Sequence, residues 1–147
     1  MATHAPTAQD IIERFGMLAH PEGGHYRELW RGPAGSDGRD VGSSIIFLLS
    51  EGERSHWHRI DATEIWHFHS GAPLQLHIAD PVRGEVRTTT LGSLKDGNTE
   101  GHEPQAIVLP HHWQSAEPLG AWTLVGCTVT PAFEFQHFEL APPDFAP

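Results

Sequence analysis

Cysteine is almost absent from this 147-residue chain, which contains Cys127 alone. A single cysteine cannot form an internal disulfide, and zinc sites built from thiolates use two or more cysteines, so both kinds of cross-link are excluded. Cys127 lies in the apolar run LVGCTV, where a small buried side chain is its simplest interpretation. We therefore expect it to be a core residue and not a catalytic thiol.

Positive charge is also scarce, because 9 Lys and Arg stand against 19 Asp and Glu, a formal net charge of −10. A chain this acidic is poorly suited to neutralising phosphates or anionic membrane surfaces, so neither nucleic acid nor a membrane is an expected partner. No run approaches the roughly 20 apolar residues of a membrane-spanning helix, and residues 1–10 lack the features of a secretory signal. We expect a cytoplasmic protein.

The length of the chain predicts a single domain spanning residues 1–147. A short amphipathic helix is predicted over about residues 7–17, with Thr7 as its N-cap. From about residue 23 to 140, eight or nine short strands follow one another, separated by turns at nearly even spacing. This pattern predicts an all-β fold, either a single β-barrel or a double-stranded jelly roll, with one short N-terminal helix.

Histidine, in contrast, is abundant, with twelve residues, and the densest cluster includes His56 and His58. Residues two apart on a strand point to the same side, so these two imidazoles are expected to share a face. Glu64 follows a polar turn on the next strand, where it can face the same point. Two imidazoles and a carboxylate suit zinc, iron, manganese or nickel, and either histidine also suits work as a general base.

The order His56, His58, Glu64 and Gly71 resembles the first signature motif of the cupin superfamily, in which two histidines and a glutamate bind a metal. The chain departs from that motif because five residues separate His58 from Glu64 instead of three or four. The resemblance implies a metal site formed by His56, His58 and Glu64.

The second cupin motif is only partly present, in the segment VLPHHWQSAE. Pro110 fits this motif, but His112 replaces the expected glycine, and Ser115 stands where the fourth metal ligand, a histidine, is expected. Gln114 or His112 can replace that ligand only if the local register shifts. The cofactor therefore stays open between one divalent transition metal, Zn, Fe, Mn or Ni, and none.

Over nearly its whole length the chain is similar to a narrower group, the small single-domain cupins known as the cupin five family of uncharacterised proteins. The segments that carry this resemblance are HPEGGHYRELW, SSIIFLL, RSHWHR, EIWHFHSGAPL, VLPHHWQ and VGCTVTPAFEFQHFEL. It implies a barrel of the dTDP-sugar epimerase type and a homodimer, for which SSIIFLLS is a compatible edge strand, but it implies no settled activity.

In epimerase-like cupins a histidine base works opposite a tyrosine acid, which pairs Tyr26 with His56 or His58 as candidate catalytic residues. Aromatic walls suit sugar or aromatic ligands, because a ring face packs on them and an indole N–H can donate a hydrogen bond. The other candidates for the pocket are Glu22, Arg27, Glu28, Trp66, Trp113 and Gln114.

The sequence supports two hypotheses about function. The first is a small-molecule isomerase, epimerase or lyase that acts in a histidine-rich, aromatic-lined pocket, with or without a metal. The alternative is a non-catalytic cupin that binds a sugar or a nucleotide-like ligand. The net charge disfavours an anionic nucleotide-sugar, although Arg54 and Arg59 flank the histidine pair and could contact a phosphate.

Overall fold

The structure, a computed structural model, describes residues 4–94 and 101–147. Those residues form one α-helix, eleven strands and a short 3-10 turn, Phe135–His137. The helix is α1 (Ala8–Phe15), and the strands are β1 (Leu18–Ala19), β2 (His25–Arg31), β3 (Ser43–Ser50), β4 (Ser55–Ile60), β5 (Thr63–Gly71), β6 (Leu74–Ala79), β7 (Val86–Leu91), β8 (Gln105–Val108), β9 (Trp113–Pro118), β10 (Trp122–Thr130) and β11 (Phe138–Leu140).

The strands form two antiparallel sheets that enclose the core. One sheet has the order β1-β2-β3-β10-β5-β8, and the other has the order β11-β4-β9-β6-β7. The main apolar cluster between them includes Phe47, Leu49, Trp66, Leu76 and Val125, all of which are buried. Two packed antiparallel sheets with one short helix confirm the predicted all-β jelly roll.

Helix α1 forms at the predicted place because its caps are encoded locally. The Thr7 side chain accepts a hydrogen bond from the Asp10 N–H, and the Asp10 carboxylate accepts one from the Thr7 N–H, which completes a capping box. Its apolar face packs on Ile46 and Leu48, which lie on the side of β3 opposite the core. Within the described residues, no helix has the length and hydropathy needed to span a lipid bilayer.

Strand β9 is an element that the sequence pattern did not predict. It lies between β4 and β6, in the middle of the five-stranded sheet. Its buried residues are Gln114, Ser115 and Ala116, none of which is a large apolar side chain. A strand of this composition has no alternating hydrophobic signal, so only its two neighbours in the sheet identify it.

Strand β3 forms where expected, but its position in the sheet is not the expected one. It carries the sequence SSIIFLLS, whose apolar run is compatible with an edge strand that pairs between subunits. In the structure it is paired on one side with β2 and on the other with β10. Both rows of its backbone hydrogen-bonding groups are used, so this strand cannot pair with a second chain.

Candidate functional site

A cavity of about 390 Å³ opens between the two sheets. Residues of β2, β3, β5 and β10 line it from the six-stranded sheet, and residues of β4 and β11 line it from the other. The segment between β10 and β11 contributes further side chains. The titratable residues that line the cavity include His20, Glu22, Tyr26, His58 and Glu64.

A β-bulge in β4 decides which histidine reaches the cavity. Ser55 of β4 pairs with Ala116 of β9, and the next paired position is His58 with Gln114. The step from Ser55 to His58 is one residue longer than the step from Ala116 to Gln114, so β4 contains one extra residue. Ser55 and His58 consequently both point inward. The expectation that His56 and His58 share a face is wrong, because it assumed an unbroken two-residue period.

His56 instead lies against the C-terminal segment. Its Nε2 atom is 3.1 Å from the carbonyl oxygen of Ala141 and 2.9 Å from that of Pro142. His56 is not among the residues that line the cavity. Its backbone N–H still serves the site, because it donates to the carbonyl oxygen of Glu22 over 2.8 Å.

His58 and Glu22 form a buried ion pair at the centre of the site. The Nδ1 atom of His58 lies 2.9 Å from Oε2 of Glu22 and 2.7 Å from the carbonyl oxygen of His56. The hydroxyl of Ser55 donates a short hydrogen bond to the same Glu22 oxygen. With Nδ1 held in this way, Nε2 is the ring nitrogen of His58 that remains for a ligand in the cavity.

Two glycines bring Glu22 to this position. Gly23 and Gly24 adopt φ angles of +112° and +77°, which disfavour any residue with a Cβ atom. A Cβ at Gly23 would lie 2.1 Å from the carbonyl oxygen of Arg54, on the chain just before β4. The turn can therefore approach β4 closely enough for Glu22 to reach His58 only because Gly23 lacks a side chain.

His20 is the second imidazole that lines the cavity. Its Nδ1 atom accepts a hydrogen bond from the Glu22 N–H at 3.1 Å, so the proton of a neutral ring is on Nε2. Its ring lies 4.8 Å from that of Tyr26 in an edge-on arrangement. Burial lowers the pKa of His20 below its ordinary value and outweighs the opposing effect of Glu22.

Glu64 is held in place by hydrogen bonds from buried side chains. Because an indole can only donate, Trp66 Nε1 fixes the oxygen of the Gln114 amide at 2.7 Å. The amide nitrogen of Gln114 is then turned toward Glu64 and donates to Oε1 over 2.7 Å. The thiol of Cys127 also hydrogen-bonds Glu64. Gln114 is thus a support for Glu64 and is not a lining residue of the cavity.

The site shifts the ionisation of its carboxylates and imidazole in different directions. Burial lowers the pKa of His58, but the Glu22 carboxylate more than offsets this and raises the pKa to about 9. Burial raises the pKa of Glu22, but the charge and hydrogen bond of His58 hold it below its usual range. Burial raises the pKa of Glu64 to about 7, although His58 and Gln114 oppose the shift.

The predicted metal-ligand set of His56, His58 and Glu64 does not fit this geometry. His56 points out of the cavity, and Nδ1 of His58 is engaged by Glu22. Among the described residues, no group of three or more His, Cys, Asp or Glu side chains converges as metal ligands do. We therefore assign no step of the chemistry to a metal held by these three residues.

The aromatic wall of the cavity consists of phenylalanines, not tryptophans. Phe133, Phe135 and Phe138 line the cavity and lie within 4.9–6.2 Å of one another, centroid to centroid. The predicted wall residues are elsewhere. Trp66 is buried in the core against Phe47, and Trp113 packs on Phe145 outside the cavity.

The opening of the cavity has charged side chains from β2. A second bulge, in which β2 advances from Glu28 to Trp30 while β3 advances by one residue, turns both Glu28 and Arg31 toward the cavity. Glu28 lies where predicted, as do Glu22 and Tyr26. Arg27 does not, because its Nη1 atom donates to the Phe15 carbonyl oxygen at the end of α1.

Several residues that the structure brings into the site were not predicted from the sequence. His20 stands in the quoted segment HPEGGHY, and its closeness to Glu22 and two glycines was the available signal. The phenylalanines stand in FEFQHF, whose pattern predicts an ordinary strand and gives no sign of a pocket wall. No local signal identifies Ser55 or Arg31, because bulges orient them. The residues that line the cavity and were not predicted include His20, Arg31, Phe133, Phe135 and Phe138. Ser55, also not predicted, donates a hydrogen bond to Glu22.

Comparison with known proteins agrees with this architecture. A solved protein from Shewanella oneidensis is 38% identical, with a TM-score of 0.86, and the match covers 93% of this chain and 85% of that one. A hypothetical protein from Leishmania major is 29% identical, with a TM-score of 0.80, covering 92% of this chain and 88% of that one. None of the curated proteins matches this sequence.

A more distant solved structure is a dTDP sugar isomerase from Desulfovibrio desulfuricans. It is 15% identical with a TM-score of 0.60, and the match covers 83% of both chains, a likeness that shows the fold alone. The jelly roll with its inter-sheet cavity is that of a cupin. Residues 9–141 match the family described as Cupin superfamily (DUF985), and the chain belongs to that family.

Proposed function

We propose that this cupin is a metal-independent isomerase or epimerase that moves a proton at a carbon next to a carbonyl group. The observation that carries the proposal is the buried His58–Glu22 pair, which faces the same cavity as Glu64. His58 and Glu64 are two titratable groups in one cavity whose surroundings shift their pKa values differently. Such a pair is the usual mark of a catalytic acid and base.

The directions of the pKa shifts assign the two roles. With a pKa of about 9, His58 is protonated at neutral pH, so it serves as the acid and not as the base predicted from the sequence. With a pKa of about 7, Glu64 is partly ionised at neutral pH and is suited to accept a proton. Glu22 keeps His58 charged and fixes its ring orientation.

The proposed reaction balances within the site. Glu64 removes a proton from the carbon, while Nε2–H of His58 donates to the carbonyl oxygen, so an enediol forms from an α-hydroxy carbonyl compound. For isomerisation, Glu64 returns the proton to the neighbouring carbon, and His58 recovers its proton from a hydroxyl group of the enediol. For epimerisation, a second group must give a proton to the opposite face of the carbon, and Tyr26 is the candidate for that donor, with Glu64 and Tyr26 then re-equilibrating with solvent. Tyr26 and neutral His20 supply hydrogen-bonding groups at the cavity that can orient the substrate oxygens.

Exchange of carbon-bound protons with solvent tests this proposal before a natural substrate is identified. The probe is 2-hydroxyacetophenone, an uncharged α-hydroxy ketone, incubated with the protein in D2O and followed by NMR. We expect loss of the methylene signal faster than in buffer, and a fall of about 100-fold or more in that rate for Glu64→Gln and His58→Gln. Tyr26→Phe tests the predicted tyrosine in the same assay.

His56→Gln is the matched control, because this histidine lies on the same strand but outside the cavity. It is expected to retain the wild-type exchange rate. Equal exchange rates for wild type, Glu64→Gln and His58→Gln would contradict the proposed chemistry. Chelator treatment is expected to leave the rate unchanged, since no step relies on a metal.

The alternative function, a non-catalytic binding cupin, is distinguished by the same materials. A binder takes up the probe without accelerating exchange. The hydrogen bonds that hold Glu64 favour catalysis over simple binding. Trp66, Gln114 and Cys127 fix a carboxylate whose burial costs free energy of folding, and such a group is expected to have a function.

A further inference from the structure

We infer that the cavity selects small substrates that carry no phosphate or carboxylate group, namely uncharged hydroxy-carbonyl compounds with an apolar or aromatic face. This inference rests on the proposed function for the reacting group and adds the substrate class. Its basis is the set of charges around the cavity together with the phenylalanine wall.

Each positive charge that the described residues contribute to the cavity has a carboxylate partner. Among the described residues that line it, Arg31 is the only permanent cation. Its Nε atom donates to Glu28 at 2.7 Å, its Nη1 atom to Asp40 at 3.4 Å, and its Nη2 atom to the carbonyl oxygen of Phe133 at 2.8 Å. The charge of His58 is matched in the same way by Glu22.

The arginines that the sequence suggested as phosphate contacts point elsewhere. Arg59 pairs with Glu139 and lies over the ring of Trp113, with its guanidinium carbon 4.4 Å from the ring centroid. The Nε atom of Arg54 donates to the hydroxyl of Ser115. Neither residue lines the cavity. Among the described residues, a phosphate group in the cavity would therefore meet only cations that carboxylates already pair, namely Arg31 and the His58 imidazolium.

Carboxylates at the cavity make the environment for an anion still less favourable. Glu28 and Glu134 both line it, in addition to Glu22 and Glu64. Glu134 lies 3.8 Å from Arg39, but Arg39 already forms a two-point ion pair with Asp61. An anionic ligand would meet like charges and lose water without compensation.

The remaining surface favours an apolar ligand of modest size. Phe133, Phe135 and Phe138 form one wall, and Ile45, Ile60 and Val129 add aliphatic area. The volume of about 390 Å³ lies toward the small end of typical ligand pockets, which range over roughly 300–1,000 Å³. A compact ring or short chain fits this space better than a nucleotide joined to a sugar.

A matched pair of probes tests the inference by isothermal titration calorimetry at neutral pH and constant ionic strength. The probes are 2-hydroxyacetophenone and its phosphate ester, phenacyl phosphate, which share one carbon skeleton. We expect the uncharged probe to bind and the phosphate ester to bind about tenfold more weakly or worse. In Glu28→Gln, which frees Arg31 from its nearest carboxylate, we expect the phosphate ester to gain affinity.

Glu139→Gln is the control variant, because it removes an arginine-paired carboxylate outside the cavity. It is expected to leave both affinities unchanged. Tighter binding of phenacyl phosphate to wild type, or binding of neither probe, would overturn the inference. Binding of 2-hydroxyacetophenone without proton exchange would instead contradict the proposed function alone, so the two failures are distinguishable.

Discussion

Glu22 determines the protonation state of His58, although it was predicted only as a pocket residue. Its carboxylate receives hydrogen bonds from His58 and Ser55, and it is 8% exposed. A buried imidazole without such a partner loses its proton, since burial lowers the pKa of histidine. The proposed acid of the reaction is therefore a property of the pair and not of His58 alone.

At the residue scale, we predict that Glu22→Gln lowers the pKa of His58 from about 9 by about 1 to 3 units. The substitution keeps the shape of the side chain but removes the charge that stabilises the imidazolium. The measurement is an NMR titration of the imidazole nitrogens. Glu139→Gln is again the control, and an unchanged His58 pKa in Glu22→Gln would show that Glu22 does not hold the proton in place.

At the scale of elements, the site is assembled by two bulges and one glycine turn. The bulge in β4 turns His58 inward and His56 outward, and the bulge in β2 places Arg31 beside Glu28. The turn through Gly23 presses Glu22 against the chain before β4. Such irregularities re-aim side chains without changing the fold, which explains why the jelly roll was easier to predict than its site.

We predict that Gly23→Ala weakens both the fold and the His58–Glu22 pair. The new Cβ meets the Arg54 carbonyl oxygen at 2.1 Å, so the turn must move and withdraw Glu22. The matched control is Gly38→Ala, since Gly38 also has a positive φ, +86°, but nothing lies within 4 Å of a Cβ there. Both variants should lose about 1–2 kcal/mol from backbone strain, and Gly23→Ala should lose more than Gly38→Ala because of the added clash with the Arg54 carbonyl oxygen.

Only Gly23→Ala should also lower the His58 pKa. NMR titration measures that pKa in both variants, and chemical denaturation measures their free energies of unfolding. If Gly23→Ala matched Gly38→Ala in unfolding free energy and left the His58 pKa unchanged, the proposed part of Gly23 in positioning Glu22 would be wrong.

For the whole molecule, we predict that stability falls as the pH rises from about 6.5 to about 9. The pKa of His58 is raised from 6.5 to about 9, so its contribution is complete below 6.5 and is lost as the pH passes through 9. The loss is on the order of a few kcal/mol. Urea denaturation at a series of pH values measures it.

His58→Gln is expected to flatten this part of the stability curve, and His56→Gln is expected to leave it as in wild type. A wild-type curve that is level between these pH values would contradict the assigned ion pair. Glu64 also makes stability fall as the pH rises, but over the lower range from about 4.5 to about 7. Its pKa is raised from 4.5 to about 7, so the folded state prefers the protonated form of Glu64.

The homodimer, the cytoplasmic location and the single-domain organisation over residues 1–147 stay predictions. Strand β3 no longer supports a dimer through edge pairing. The structure does show two exposed apolar side chains near the C-terminal end of β2, Leu29 and Trp30, which are 60% and 51% exposed.

The sequence by itself determined the class of fold and one half of the site. The strand periodicity and capping residues are local properties, so they predicted the jelly roll and helix α1. The motif resemblance found His58 and Glu64, and the segment before β2 supplied Glu22, Tyr26 and Glu28.

Only the tertiary structure decided which of these side chains meet. A bulge shifts every later residue to the other face of its strand, and it forms through pairing with a distant strand, which the local sequence does not reveal. For that reason His56 left the site while Arg31 entered it, and the turn through Gly23 and Gly24 brought His20 there together with Glu22. The same packing placed Trp66 and Gln114 beneath Glu64 and phenylalanines along the wall, because their neighbours come from strands far apart in the chain.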